Sequence, residues 1–150
     1  MKNTCCYISF LFATVMSLPA QASASIDCHV RHKLFHGDFA VTSFYEFIFD
    51  EANNTGVLKI NGKISAGDKK ETLSRNIYFD YVRKKDVYFS KSREIKKIPI
   101  DNASELHLSE HYPHFFYMEN EPLTFTIKKF GNNSYTISFV NVPLFLCTSK

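Results

Sequence analysis

The chain has 150 residues, with 18 lysines and arginines against 15 aspartates and glutamates, and a formal net charge of +3. That length is typical of one domain. Charges so nearly balanced argue against a nucleic-acid-binding protein, which needs a concentrated basic stripe. The 15 phenylalanines and 8 tyrosines, with no tryptophan, supply large apolar side chains for a single core.

The first 24 residues have the order of a secretory signal peptide. Lys2 is followed by an apolar run over residues 5–18, then by the helix-breaking Pro19 and by alanines that offer cleavage after Ala22 or Ala24. The apolar run is shorter than the roughly 20 residues that span a bilayer. We therefore predict a cleaved signal peptide over 1–24, with an uncleaved membrane anchor as the alternative, and a single β domain over 25–150.

Most of the remaining sequence alternates with a period of two residues, which is the period of a β-strand. Leu58, Ile60 and Ile64 would share one face, while Lys59 and Lys63 would share the other. Aromatic and β-branched residues dominate these runs, as in half-buried strands. Turn-forming residues separate them and predict an antiparallel meander. The predicted strands cover 27–36, 39–50, 57–65, 72–83, 87–97, 122–130 and 134–146.

One segment departs from this alternation. Asp101 is a good N-cap residue, and Pro113 limits how far a helix could continue. We predict a short helix over about 102–110. The expected fold is an all-β, mainly antiparallel, barrel-like sheet or sandwich with one short helix between strands five and six.

Two cysteines, Cys28 and Cys147, lie near the two ends of the predicted domain. Exported proteins form and keep disulfides, and no Cys-x-x-Cys spacing indicates a redox pair. We therefore predict a structural disulfide between Cys28 and Cys147, which requires the first and last strands to be neighbours.

Histidine is the residue type that most invites a chemical interpretation. His107 and His111 would share a helix face at the i, i+4 spacing of some metal sites. Pro113 weakens that helix, and no acidic residue completes a His-Glu-x-x-His motif. Ordinary surface histidines are therefore favoured, and we predict no metal site. pH sensing or metal binding by His107 and His111 stays open as an alternative.

No catalytic motif or phosphate-binding glycine loop is present, and we predict neither an enzyme nor a cofactor. The basic segment 83–97 is interpreted as a solvated hairpin, with binding to anionic lipid or to an acidic partner as the alternatives. Arg75 interrupts an apolar face and is a candidate interface residue; the alternatives are that it pairs with a carboxylate such as Asp80 or Asp101, or that it reaches solvent. The many aromatic residues are expected mainly in the core, with Phe115, Phe116 and Tyr117 as candidates for an apolar pocket or an interface.

The segments 58–62, 74–81 and 113–116, followed by a cysteine near the C-terminus, resemble the FidL-like proteins of Gram-negative bacteria. These are small exported or membrane-anchored proteins. The resemblance implies a non-enzymatic periplasmic accessory protein, with the periplasmic domain of a ToxR-type membrane regulator as its protein partner. It implies membrane contact only through an uncleaved N-terminus, which would anchor the protein in the inner membrane. The alternative function is a lipocalin-like carrier or sensor of a small apolar ligand.

Overall fold

The computed structural model describes residues 25–139 and 145–149, which form a closed eight-stranded antiparallel barrel. Each strand pairs with the next along the chain, and the last pairs with the first. The all-β fold and the short helix between strands five and six are confirmed. The elements are β1 (Ser25–His36), β2 (Phe39–Asp50), β3 (Thr55–Ala66), β4 (Lys69–Lys84), β5 (Val87–Lys97), α1 (Glu105–His111), a 3-10 turn (His114–Phe116), β6 (Pro122–Lys129), β7 (Ser134–Phe139) and β8 (Phe145–Ser149).

Several predicted strand ends differ from the structure by one to three residues, and two differences have a clear physical cause. The run predicted as one strand over 134–146 contains parts of two strands, β7 and β8. Pro143 lies between them in sequence, and a proline has no N–H to donate to a ladder. The helix begins at Glu105 rather than 102, because Asp101 and Asn102 hydrogen-bond to β4 instead. The predicted signal peptide, 1–24, lies outside the described residues.

Alternate side chains of every strand point into the barrel and form its core. On β2 these are the odd-numbered residues from Phe39 to Phe49, all of them buried. Close packing also depends on glycine. Gly56 on β3 faces Phe79 on β4, and a Cβ at Gly56 would lie 2.2 Å from Cζ of Phe79. The Phe79 ring therefore occupies the space that any other side chain at position 56 would need.

The barrel has two distinct ends. At the helix end, two-residue loops join β1 to β2 and β3 to β4, and α1 lies across the opening. At the other end, which we call the terminal end, lie Ser25 and Ser149. Between β5 and α1, residues 98–104 form a strap along β4. Ile98 N–H donates to the carbonyl of Ser74, and Asn102 N–H donates to that of Thr72. No helix in the described part of the chain is long and apolar enough to cross a membrane.

A short seam closes the barrel between β1 and β8. Within the described residues its ladder has two register pairs, Cys28 with Ser149 and His29 with Thr148, whereas β1 and β2 pair over their full length. The structure contains the Cys28–Cys147 disulfide at this seam, with both cysteines fully buried. The bond joins residues 119 positions apart. The seam therefore combines little backbone pairing with one covalent link.

Replacing both cysteines should destabilise the protein strongly. In the chain-entropy model, a crosslink across about 120 residues restricts the unfolded chain by about 5 kcal/mol, and measured losses are typically about 2–5 kcal/mol. We expect the Cys28→Ala/Cys147→Ala variant to lose a free energy of unfolding in that range, measured by urea denaturation. Mass spectrometry of the non-reduced wild type should find it lighter than the reduced form by two hydrogen atoms. Equal stability of variant and wild type would contradict a role for the bond in closing the barrel.

Candidate functional site

The barrel interior is filled by aromatic rings. Phe125 on β6 contacts Phe47 and Phe49 on β2, with ring centroids 6.1 and 5.8 Å apart, although these strands lie on opposite sides of an eight-stranded barrel. Phe79 on β4 also packs against Phe125, at 5.9 Å. Ring centroids 4.5–7 Å apart are in direct contact. Side chains from opposite walls therefore meet at this level of the barrel.

The candidate pocket residues contribute to this filling. Phe115, from the 3-10 turn, packs on Phe125 with centroids 5.7 Å apart, and Phe116 packs on Phe139 at 5.5 Å. Phe115 and Phe116 are both buried, whereas Tyr117 is half-buried at the helix end. The segment after α1 thus plugs the barrel. Its two phenylalanines face the core and do not line an open pocket or a surface.

Arg75, the candidate interface residue, points into the barrel. Its guanidinium donates two hydrogen bonds to the Asp101 carboxylate, one from Nε and one from Nη2, each 3.0 Å long. The side chains of Arg75 and Asp101 are 0% and 1% exposed. The same carboxylate accepts hydrogen bonds from the backbone N–H groups of Ser74 and Ala103. Arg75 therefore fixes the strap to β4 and is not available to a partner.

The chain offers a matched test of this buried pair. Arg93 and Asp80 form an ion pair with the same 3.0 Å separation, but both side chains are more than half exposed. Removing one partner of a buried pair costs about 3–5 kcal/mol, whereas an exposed pair contributes about 0–1 kcal/mol. We expect Asp101→Ala to lower the free energy of unfolding by about 3–5 kcal/mol and Asp80→Ala by less than about 1 kcal/mol, measured by urea denaturation. Similar losses in the two variants would show that burial does not distinguish them.

His107 and His111 do not form a common site. His107 Nδ1 lies 3.1 Å from a carboxylate oxygen of Glu71 on β4, while His111 Nδ1 lies 3.3 Å from Nδ1 of His36 on β1. The His111 ring also stacks on Phe39, with centroids 3.8 Å apart. Within residues 25–139 and 145–149, no three or more His, Cys, Asp and Glu side chains group so as to hold a metal. The two histidines have different polar partners, on β4 and on β1, although both rings contact Phe39 on β2.

These contacts and burial shift several pKa values. Burial lowers the pKa of His111, and the nearby His36 lowers it further, against the opposing effect of Glu110. Burial also lowers the pKa of His32. For Glu71, burial acts to raise the pKa, but hydrogen bonds from Ser104 N–H and His107 outweigh it and hold the pKa below its usual range.

The histidine shifts predict a loss of stability on acidification. Because His32 and His111 have folded-state pKa values below the ordinary 6.5, the unfolded chain binds these protons first. The contribution of the two neutral histidines to the free energy of unfolding is fully present above pH 6.5. It is lost as the pH falls from there through their folded-state pKa values. The free energy of unfolding, measured in urea from about pH 7.5 to about pH 5, should fall less steeply in His32→Gln/His111→Gln than in the wild type.

The control for this experiment is His114→Gln, since the His114 side chain is 62% exposed. We expect that variant to retain the pH dependence of the wild type. An undiminished dependence in the double variant would contradict the assignment to His32 and His111.

The basic segment 83–97 is partly paired with nearby carboxylates. Arg83 pairs with Glu51, and Arg93 pairs with Asp80. Lys97 pairs with Glu105 at 2.5 Å. Most of these pairs involve exposed side chains, which is typical of a solvated surface. The segment belongs to the β4–β5 hairpin, and four of its seven cations form local pairs.

A different basic surface lies on the outer side of β1–β4, toward the helix end. We call it the basic face. It consists of three adjacent rows, each of which crosses the four strands with one outward-pointing position per strand. All of these positions lie within the described residues, and none of them is Asp or Glu. Its four cations are all exposed, and the ion pairs of the described residues include none of them. The rows are Arg31 with Phe44, Asn61 and Ser74; Lys33 with Thr42, Lys63 and Thr72; and Phe35 with Ala40, Ser65 and Lys70.

Two grooves run over this face. The large groove has a volume of about 460 Å³ and is lined by Arg31, Phe44, Lys63 and Ile100, among others. The small groove, of about 300 Å³, lies beside it and reaches Lys70. Both are open to solvent. A small-molecule site buries most of its ligand, so open grooves of this kind suit a segment of a macromolecule better.

The basic face was not predicted from the sequence. Its cations are separated by up to 39 positions in the chain, so no window of sequence is unusually basic. The alternation of Lys59, Asn61 and Lys63 with apolar residues did indicate which side chains of this strand point outward. Using it required the register between strands, which the two-residue loops at Gly37 and Gly67 set.

The fold and this surface define the class of protein: a small, disulfide-closed antiparallel barrel with a filled interior and a basic face whose three rows of outward positions contain no acidic residue. Residues 25–147 match the family model of the YqeJ C-terminal domain, and the chain belongs to that family. The resemblance to the FidL-like proteins is therefore wrong, because the matched family is a different one. The short segments behind that resemblance are mostly strand alternation, which many β domains share. No curated protein matches the chain.

Proposed function

We propose that this protein is a non-enzymatic binding protein of the periplasm that docks on an acidic surface of a protein partner through the basic face. The observation that carries the proposal is the cluster of four exposed cations with no carboxylate in their three rows. Complementary charge steers association and suppresses wrong partners. Because these cations are exposed and form no ion pair among the described residues, their charge is available for such steering.

The filled interior supports a function on the outside of the barrel. Phe47 and Phe125 meet from opposite walls, and Phe115 adds to the plug. A lipocalin-like carrier needs space in its lumen for the ligand. The carrier is therefore the weaker candidate, since an apolar ligand would have to displace rings that already pack against each other.

The Cys28–Cys147 disulfide supports a location outside the cytoplasm, because oxidising compartments form and keep such bonds. The proposal of a periplasmic accessory protein rests on this bond and on the signal-like sequence of residues 1–24. The prediction that the partner is a ToxR-type regulator rested on the FidL-like resemblance, and it loses that support because the resemblance is wrong. The partner is defined here by its chemistry alone.

A protein partner fits the basic face better than anionic lipid does. The large groove is a depression between Phe44 and Ile100, whose exposed fractions are 40% and 61%. Protruding side chains of a protein can enter such a depression. A layer of lipid headgroups would contact the surrounding lysines and leave the groove empty.

Charge reversal on the basic face tests this proposal. We expect Lys33→Glu/Lys63→Glu to reduce the capture of protein partners by about tenfold, because like charges across an interface are strongly unfavourable. The measurement is crosslinking of the full chain in intact cells, followed by quantitative mass spectrometry of the captured proteins. The matched control is Lys91→Glu/Lys128→Glu, which makes the same change in net charge at exposed positions on β5 and β6.

Each outcome of this experiment bears on the proposal. Loss of an acidic partner in the basic-face variant, with capture retained in the control, supports it. Equal capture by both variants and the wild type overturns it. The proposal is also overturned if the wild type captures no protein but floats with phosphatidylglycerol vesicles, whereas the basic-face variant does not float. In that case the surface binds lipid.

A further inference from the structure

The large groove has both charged and apolar walls, and this combination restricts what can bind there. Arg31 and Lys63 supply the cations, and Lys63 is held in place by a 2.8 Å hydrogen bond from its Nζ to Oγ1 of Thr72. Phe44 and Ile100 supply the exposed apolar side chains. A ligand that matched only the charges would leave these apolar surfaces in water.

The order of these groups follows the strands. Phe44 on β2 is the register partner of Arg31 on β1, and Lys63 lies on β3, the next strand. Ile100 lies on the strap, which runs along β4. Because neighbouring strands are about 4.8 Å apart, a segment crossing the groove from β1 to the strap would meet a cation, an apolar group, a cation and an apolar group over roughly 20 Å.

An extended peptide can present that order on one of its faces. Its side chains alternate between faces, so residues i, i+2, i+4 and i+6 point the same way at intervals of about 7 Å. Four such residues span roughly 20 Å, which matches the distance from β1 to the strap. A helix of the same sequence would distribute these side chains around its axis.

We propose that the large groove binds an extended segment of the partner in which acidic and apolar residues alternate along one face. The inference rests on the proposed function and specifies the partner's chemistry. Carboxylates of the segment pair with Arg31 and Lys63, and its apolar side chains pack on Phe44 and Ile100.

Two peptides of identical composition test the proposal. In Glu-Ser-Leu-Ser-Glu-Ser-Leu, the glutamates and leucines share one face of an extended chain. In Glu-Leu-Glu-Leu-Ser-Ser-Ser they lie on opposite faces. Binding of each to the isotopically labelled protein is measured by NMR titration. We expect the first peptide to bind about tenfold more tightly, since an apolar contact in a pocket contributes at least that factor.

Matched variants locate the effect. Phe44→Ser/Ile100→Ser should abolish the preference between the two peptides. Val82→Ser/Phe89→Ser should retain it, since Val82 and Phe89 are also exposed apolar side chains, at 61% and 48%, on β4 and β5 away from the groove. Cooperative urea unfolding of both variants checks that each is folded.

Equal affinity for the two peptides, no binding of either, or a preference that survives Phe44→Ser/Ile100→Ser would overturn this inference. None of these results would overturn the proposed function, which stands or falls on capture in cells by the charge-reversal variants. If capture itself is insensitive to charge reversal, both proposals fail.

Discussion

The seam between β1 and β8 carries the shortest ladder among the pairings of the described residues, yet the whole interior depends on its closure. An open seam would leave two strand edges with unpaired N–H and C=O groups, and such edges pair readily with other chains. It would also expose the aromatic core on one side. The disulfide between Cys28 and Cys147 joins the two strands from inside the barrel. A bond buried in this position protects the closure and is itself protected from reductants.

Barrel closure also explains the arrangement at the helix end. β5 stops pairing with β4 at Lys97, so the remaining edge of β4 needs other partners. The strap supplies them through backbone groups and through the carboxylate of Asp101. Burying a charged pair such as Arg75 and Asp101 is rarely the most stable solution, since apolar replacements are often as good. Its geometry does fix one position of the strap, and with it one position of Ile100 beside the large groove.

Much of the fold could be predicted from local sequence. Alternation in β3 and the aromatic runs of β4 and β7 predicted strands, and the two isolated cysteines predicted which ends meet. The helix start could not be predicted, because the side chains of Asp101 and Asn102 can either cap a helix or accept hydrogen bonds from a strand edge. Which role they play depends on an unpaired strand edge some 30 residues earlier in the chain.

The functional residues were harder to predict, for a related physical reason. From the sequence, a lone charge on an apolar strand face, such as Arg75, is equally compatible with a buried structural ion and with an exposed binding residue. The choice depends on whether a carboxylate from a distant segment reaches it. Conversely, Arg31 and Lys63 look like ordinary surface cations until the strand register places them around one groove. Both errors arise where tertiary contacts, not local pattern, decide the role of a side chain.

The two-residue loops at the helix end have a consequence for the energetics of recognition. Gly37 and Gly67 adopt positive φ, which glycine accepts at no steric cost, and each loop leads directly into a long ladder. The backbone positions of the basic-face cations are consequently fixed before any partner arrives. On this side of the interface, association then has to immobilise lysine and arginine side chains but no backbone, so the backbone part of the entropy cost is avoided and more of the electrostatic attraction is available as affinity.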